Sequence, residues 1–160
     1  MLERAILTRL RILDLQERYI ECLDADRLEA WPEFFVDDCL YEIIPKENED
    51  LGFPAPVIRC ENKRMLRDRV VSLRHANIYQ KPVYRHFLSA LTWSETGDGE
   101  YRVTCNYMVI NTNQLGQSLV YQTGVYQDLV VTSASGDLKF KSKRAIYDTS
   151  RVQTLLAIPI

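Results

Sequence analysis

The chain has 160 residues, 46% hydrophobic and 26% charged, with a formal net charge of −2, the make-up of one ordinary globular domain that folds without staples. That balance argues against a surface that holds nucleic acid or an anionic membrane by bulk charge, and no apolar stretch approaches the length of a bilayer span. MLERAILTRLRILDLQERY is charged throughout and has no apolar signal-peptide core, so a cytoplasmic location is expected.

Residues 2–23 carry Leu2, Ile6, Leu10, Leu13, Ile20 and Leu23 between Arg, Glu and Gln, and the spacing predicts an amphipathic helix with these side chains inward. Asp24 or Asp26 can cap a short second helix over 27–30, which Pro32 limits. CLYEII (39–44) predicts a strand ended by Pro45. The stretch 45–56, rich in proline and acidic residues, predicts an exposed loop, and one this long is usually functional or an interface. VIRC (57–60) suits a short strand. Residues 61–77 predict a helix with Met65, Leu66, Val70 and Leu73 on one face. After Pro82 come four long strands, 84–94, 100–112, 117–132 and 137–148, with turn signals at 97–99, 115–117 and 135–137.

In the second of these strands Tyr101, Val103, Cys105, Tyr107 and Val109 alternate with Arg102, Thr104 and Asn106. The third places Leu119, Tyr121, Val125, Leu129 and Val131 on one face and Val120, Tyr126 and Val130 on the other. A sheet apolar on both faces needs cover on both, one from the N-terminal helices and one from a partner chain. Helices followed by a meander of long strands predict a single α+β domain over 1–160, with N-terminal helices packed on a strongly curved antiparallel or mixed sheet. The cone-shaped fold of the nuclear transport factor 2 type has this order and encloses a conical pocket.

The chemistry is sparse. Cys22, Cys39, Cys60 and Cys105 form no CxxC pair and read as small buried hydrophobes in a reducing compartment. Two histidines, His75 and His86, cannot supply both a Rieske cluster and a non-haem iron site. No glycine-rich phosphate loop and no GxSxG elbow occurs. YRHFLSAL (84–91) is the one stretch that looks catalytic. In a free-standing cone-fold dehydratase, isomerase or cyclase, Asp24, Tyr41 and His86 would form an acid–base site at the pocket mouth. A binding module would instead need a large apolar cavity. The competing reading makes Arg85 and His86 fixtures that pair with a carboxylate such as Asp68 or Asp148, pinning the first long strand to the RDRV helix or to a neighbouring subunit. Aromatic residues on adjacent strands mark core packing or an interface. Arg85, His86, Trp93, Tyr107, Tyr121, Tyr126 and Arg144 are therefore the structural or interface candidates, and no catalytic, cofactor-binding or metal-binding residue is assigned.

Five blocks taken together carry a resemblance: WPEFFVDDCLYEI (31–43), ENEDLGFPAPVI (47–58), MLRDRVVSLR (65–74), YRHFLS (84–89) and LLAIPI (155–160). Over nearly its whole length the chain resembles the small (β) subunit of aromatic-ring-hydroxylating dioxygenases. The loop block and the IPI ending are most similar to the branch acting on aromatic acids, such as terephthalate dioxygenase and salicylate 5-hydroxylase. The resemblance implies a non-catalytic β subunit without cofactor, and a large α partner that carries the Rieske 2Fe–2S cluster and the mononuclear non-haem iron. It also implies a β trimer as the base of an α3β3 hexamer in aromatic catabolism. No catalytic residue can be carried over.

Overall fold

The computed structural model of the chain describes residues 2–75, 83–97, 99–148 and 158–160. Helix α1 (Leu2–Asp24) buries Thr8, Ile12, Leu15, Gln16, Tyr19, Cys22 and Leu23. The predicted inward stripe is displaced, because Leu2, Ile6 and Leu10 are exposed. The face that meets the sheet carries polar Thr8 and Gln16, which hydropathy spacing assigns to solvent. The helix stops at Asp26, whose φ of 54° lies in the left-handed region, the conformation that ends many helices. Arg74 holds this turn, donating to Asp26 (2.9 Å) and Glu29 (2.7 Å).

Residues 27–30 form turns rather than the expected helix, and a 3₁₀ segment follows at Trp31–Phe34. Pro32 starts that segment rather than limiting one, since the first helical turn has N–H groups to spare. Strand β1 spans Phe35–Pro45, beginning earlier than predicted because Asp37 and Asp38 mask its start. Within the expected loop, Lys46–Asp50 forms a short helix, α2. Strand β2 is Ile58–Cys60. Helix α3 (Lys63–His75) buries Leu66, Val70 and Leu73, while Met65 is exposed. The Asn62 side chain caps it by accepting the Met65 N–H at 3.0 Å. Residues 76, 77 and Pro82 lie outside the described residues. Strands β3 (Val83–Gly97), β4 (Glu100–Thr112), β5 (Ser118–Thr132) and β6 (Leu138–Tyr147) match the four expected ones.

The sheet order is β2-β1-β6-β5-β4-β3. All neighbours are antiparallel except β1 and β6, which are parallel. Side chains of α1 reach β3 at Leu91 and His86, β5 at Asp128 and β6 at Lys143. The sheet therefore curves around one helix, and the α+β cone of the nuclear transport factor 2 type is the observed fold.

Register irregularities make the curve. Ala90 (φ 52°) and Leu91 together stand opposite Cys105, Tyr121 is an extra residue between Val120 and Gln122, and Lys141 is one between Phe140 and Ser142. Each bulge swaps which residues face inward. At Gly124 the strands come so close that a Cβ would collide with the Ile146 carbonyl oxygen, so only glycine fits.

The inner face and α1 share one core containing Ile12, Leu15, Tyr19, Trp31, Phe35, Tyr41, Tyr126 and Phe140. Val125, Leu129 and Val131 are half-buried on the outer side. Val83, Phe87, Leu119 and Val120 are exposed around the β3 edge and the β4–β5 hairpin.

Candidate functional site

The end of α1 and the start of β3 meet at one acid–base pair. Asp24 Oδ1 lies 2.6 Å from His86 Nδ1, and Asp24 Oδ2 accepts the His86 backbone N–H at 3.1 Å. The carboxylate thus closes a two-point clamp on the strand. In the neutral imidazole this contact places the ring proton on Nδ1 and leaves Nε2 as the acceptor. His86 Nε2 is buried and has no hydrogen-bond partner among the described residues. It faces a cavity of about 10 Å³ between Tyr84, Val109 and Tyr121 of the sheet and Ile158, Pro159 and Ile160.

The predicted trio of Asp24, Tyr41 and His86 is partly assembled. Asp24 and His86 touch, but Tyr41 serves the end of the sequence. Its hydroxyl accepts the Ile160 N–H (2.9 Å) and donates to the Ile160 carbonyl oxygen (3.2 Å). Tyr19 donates to the same oxygen (2.9 Å) and accepts from Trp31 Nε1 (3.2 Å). Burial pushes the Tyr41 and Tyr19 phenols well above their ordinary range, so neither is a base near neutral pH. Ile160, itself 2% exposed, fills the space such a trio would need.

Asp24 also corrects the expected partner of His86. The clamp runs to α1, not to the RDRV helix, and neither Asp68 nor Asp148 takes part. Arg85 is exposed on the other side of the strand, beside Glu17, Glu21 and Asp24.

A second polar centre lies deeper, and the sequence pattern hides it. Lys143 Nζ donates to Asp128 Oδ2 (3.0 Å) and to Gln16 Oε1 (3.0 Å), and Gln16 Nε2 donates to Asp128 Oδ2 (2.6 Å). Both charged side chains are 0% exposed. The ammonium sits 3.6 Å from the ring centre of Tyr126 and 4.5 Å from those of Tyr19 and Phe140, an aromatic cage that offsets part of its lost hydration. Burial raises the Asp128 carboxyl and lowers the Lys143 ammonium. The bulge at Lys141 turns Lys143 inward, and no alternation pattern predicts that.

The remaining candidates are structural within this chain. Tyr107 stacks on Tyr126 at 4.3 Å and donates to Gln122 at 2.7 Å. Tyr107 and Tyr126 are thus core residues, closed to any partner. Tyr121 is buried at the His86 cavity, and Trp93 packs edge-on to Tyr101. Arg144 donates from Nε to Glu42 (2.9 Å) and from both terminal nitrogens to Glu49 (3.0 and 2.6 Å), fastening α2 to the sheet. Glu42 also pairs with Arg59. All four cysteines are buried and free, and burial lifts the Cys39 and Cys105 thiols to about 11. Among the described residues, no three His, Cys, Asp or Glu side chains gather as a metal site, and no helix is long and apolar enough to cross a membrane.

Comparison with known proteins agrees with this layout. A sequence profile of the family described as ring hydroxylating beta subunit matches residues 18–154. The chain is 58% identical over 153 residues to the small subunit of anthranilate 1,2-dioxygenase from Burkholderia cepacia, covering 96% of this chain and 94% of that one. It is 31% identical over 156 residues to a β subunit of the terminal oxygenase component of terephthalate 1,2-dioxygenase from a Comamonas species, covering 97% and 100%. A crystal structure of a β subunit assigned to an aromatic-ring-hydroxylating dioxygenase of Novosphingobium aromaticivorans superposes with a TM-score of 0.89 at 42% identity, covering 98% and 99%.

Proposed function

This chain belongs to the family of ring-hydroxylating β subunits, and on that premise we propose that it is the non-catalytic small subunit of the terminal oxygenase of an aromatic-ring-hydroxylating dioxygenase. In this reading a large α subunit carries the Rieske 2Fe–2S cluster and the mononuclear iron. Three β chains form the base on which three α chains sit, as an α3β3 hexamer in the cytoplasm. The complex works in aromatic catabolism, on an aromatic carboxylate of the anthranilate kind.

The observation that carries this reading is the 58% identity, spread over nearly the whole chain, to the anthranilate 1,2-dioxygenase small subunit. The geometry supports a scaffolding role over that of a free-standing enzyme. His86 is clamped by Asp24 and opens only onto a cavity of about 10 Å³, room for about one water. Exposed apolar side chains at the β3 edge (Val83, Phe87) and along α1 (Leu2, Ile6, Leu7, Leu10) offer surface for neighbouring subunits to cover.

Co-expression with the α subunit tests the proposal. The two chains should elute together from a sizing column as a hexamer, and the loaded complex should oxidise anthranilate in preference to terephthalate. Separate elution of the two chains would overturn it.

A further inference from the structure

The unpartnered nitrogen of His86 points to a ligand. The imidazole side chain is 2% exposed, and Nε2 has no partner among the described residues, although a buried polar atom of this kind nearly always has one. Its role is set from the other side of the ring. In the neutral imidazole, Asp24 on Nδ1 leaves Nε2 as the acceptor, and the group that completes it is a donor. The surroundings narrow the choice. The facing walls are Tyr84, Val109 and Tyr121 on the sheet, and Ile158 and Ile160 across from them. None of the described residues that line the cavity is a Lys or Arg, and an anion here would lie near the Asp24 carboxylate, so a neutral hydroxyl suits Nε2 better than a carboxylate.

The far wall is irregular backbone. Ile158–Ile160 belongs to no helix or strand. The hydrogen bonds of Ile160 run to the Tyr41 and Tyr19 hydroxyls, which water or a ligand can replace. We propose that Ile158–Ile160 is a displaceable plug, and that the space it covers binds a compact neutral phenol. The phenol hydroxyl donates to His86 Nε2, and its ring takes the place of the isoleucine side chains against Tyr84, Val109 and Tyr121. Such a site lies within the β subunit and senses a hydroxylated aromatic compound without transforming it.

The full chain, labelled with ¹⁵N-histidine, is titrated at pH 7 with phenol, benzoate and toluene while the His86 ring nitrogens are followed by NMR. Phenol should shift Nε2 saturably while Nδ1 keeps its proton. Toluene should bind about tenfold more weakly, because it leaves the acceptor unmade, and benzoate should leave Nε2 unmoved. Equal binding of toluene, an equal response to benzoate, or no saturable shift with phenol would each overturn the site. Ile160→Ala tests the plug and should tighten phenol binding about fivefold by freeing the competent state. An unchanged or weaker affinity would overturn it. His86→Phe should erase the preference for phenol over toluene, and a retained preference counts against His86 as the recognition atom. Should His86→Phe not fold, the phenol-to-toluene ratio and Ile160→Ala decide the matter.

Discussion

The cone holds two carboxylate–base pairs on its inner side, and they solve the problem of buried charge differently. Asp128 and Lys143 lie 3.0 Å apart at full burial, with Gln16 bonded to both and three rings around the ammonium. Asp24 and His86 lie 2.6 Å apart near the mouth, with one carboxylate oxygen spent on backbone and one ring nitrogen left over. The deep centre uses its polar capacity to lock strands to the helix. Among the described residues each centre leaves one buried acceptor unpaired, Asp128 Oδ1 in the deep one and His86 Nε2 in the outer one. The aromatic cage packed around the first marks it as structural, and the cavity that His86 lines marks the second as a place where something can bind.

The comparison breaks first at Lys143. Burial raises the Asp128 carboxyl above its ordinary 3.8 and lowers the Lys143 ammonium below its ordinary 10.5. A raised acid favours the fold below 3.8 and loses that contribution as pH rises through its folded value. A lowered base favours the fold above 10.5 and loses that contribution as pH falls through its folded value. Near neutral pH each charge is therefore tolerated only because of the other. Lys143→Met should cost about 3–5 kcal/mol in urea unfolding at pH 7, by leaving a buried carboxylate unpaired. Adding Asp128→Asn should restore more than half of that. A loss below 1 kcal/mol in the single variant would mean that water reaches Asp128.

The outer pair should respond less. Asp24→Ala removes the acceptor for two donors, the His86 ring and backbone N–H groups, at about 2 kcal/mol. The Asp24 side chain is 11% exposed, so water can replace part of what is lost. Asp24→Asn, which keeps one acceptor, should recover about half. Equal costs for Asp24→Ala and Lys143→Met, measured in the same urea series, would erase the distinction between the two centres.

Helix and strand spacing exposes most of the architecture but little of either centre. The four long strands and α3 follow from alternation and from period 3.6, most cleanly in β4, where Arg102, Thr104 and Asn106 hold the outer face. The centres depend on bulges. Leu138 and Phe140 point inward, and strict alternation would continue with Ser142 and Arg144. The extra residue at Lys141 turns Lys143, Ala145 and Tyr147 in instead. Tyr121 likewise reads as a companion of Val125 and Leu129, yet its bulge turns it toward His86. A bulge answers to curvature of the whole sheet, which no local window contains. Asp24 and His86 are legible as candidates because each stands at an element end. Their contact is not, since it joins residues 62 apart through the wrap of the sheet.

The third polar cluster sets the lower end of the scale. Arg144 binds Glu49 through both terminal nitrogens, and this hydrogen bonding holds the Glu49 carboxyl below its ordinary 4.5. A depressed carboxyl contributes stability that is present above pH 4.5 and lost as pH falls through its folded value. Glu49→Gln should therefore lower stability at pH 7, and the gap to the unsubstituted chain should close as the medium is acidified below 4.5. The Glu49 side chain is 32% exposed and Arg144 is 26% exposed, so screening keeps the effect under about 1 kcal/mol, and high salt should shrink it further. Unfolding midpoints at pH 7 and pH 3, each with and without 1 M salt, measure it. A gap that persists unchanged at pH 3 would show that Glu49 acts through packing of α2 rather than through its charge. Burial would then not be what ranks the three clusters.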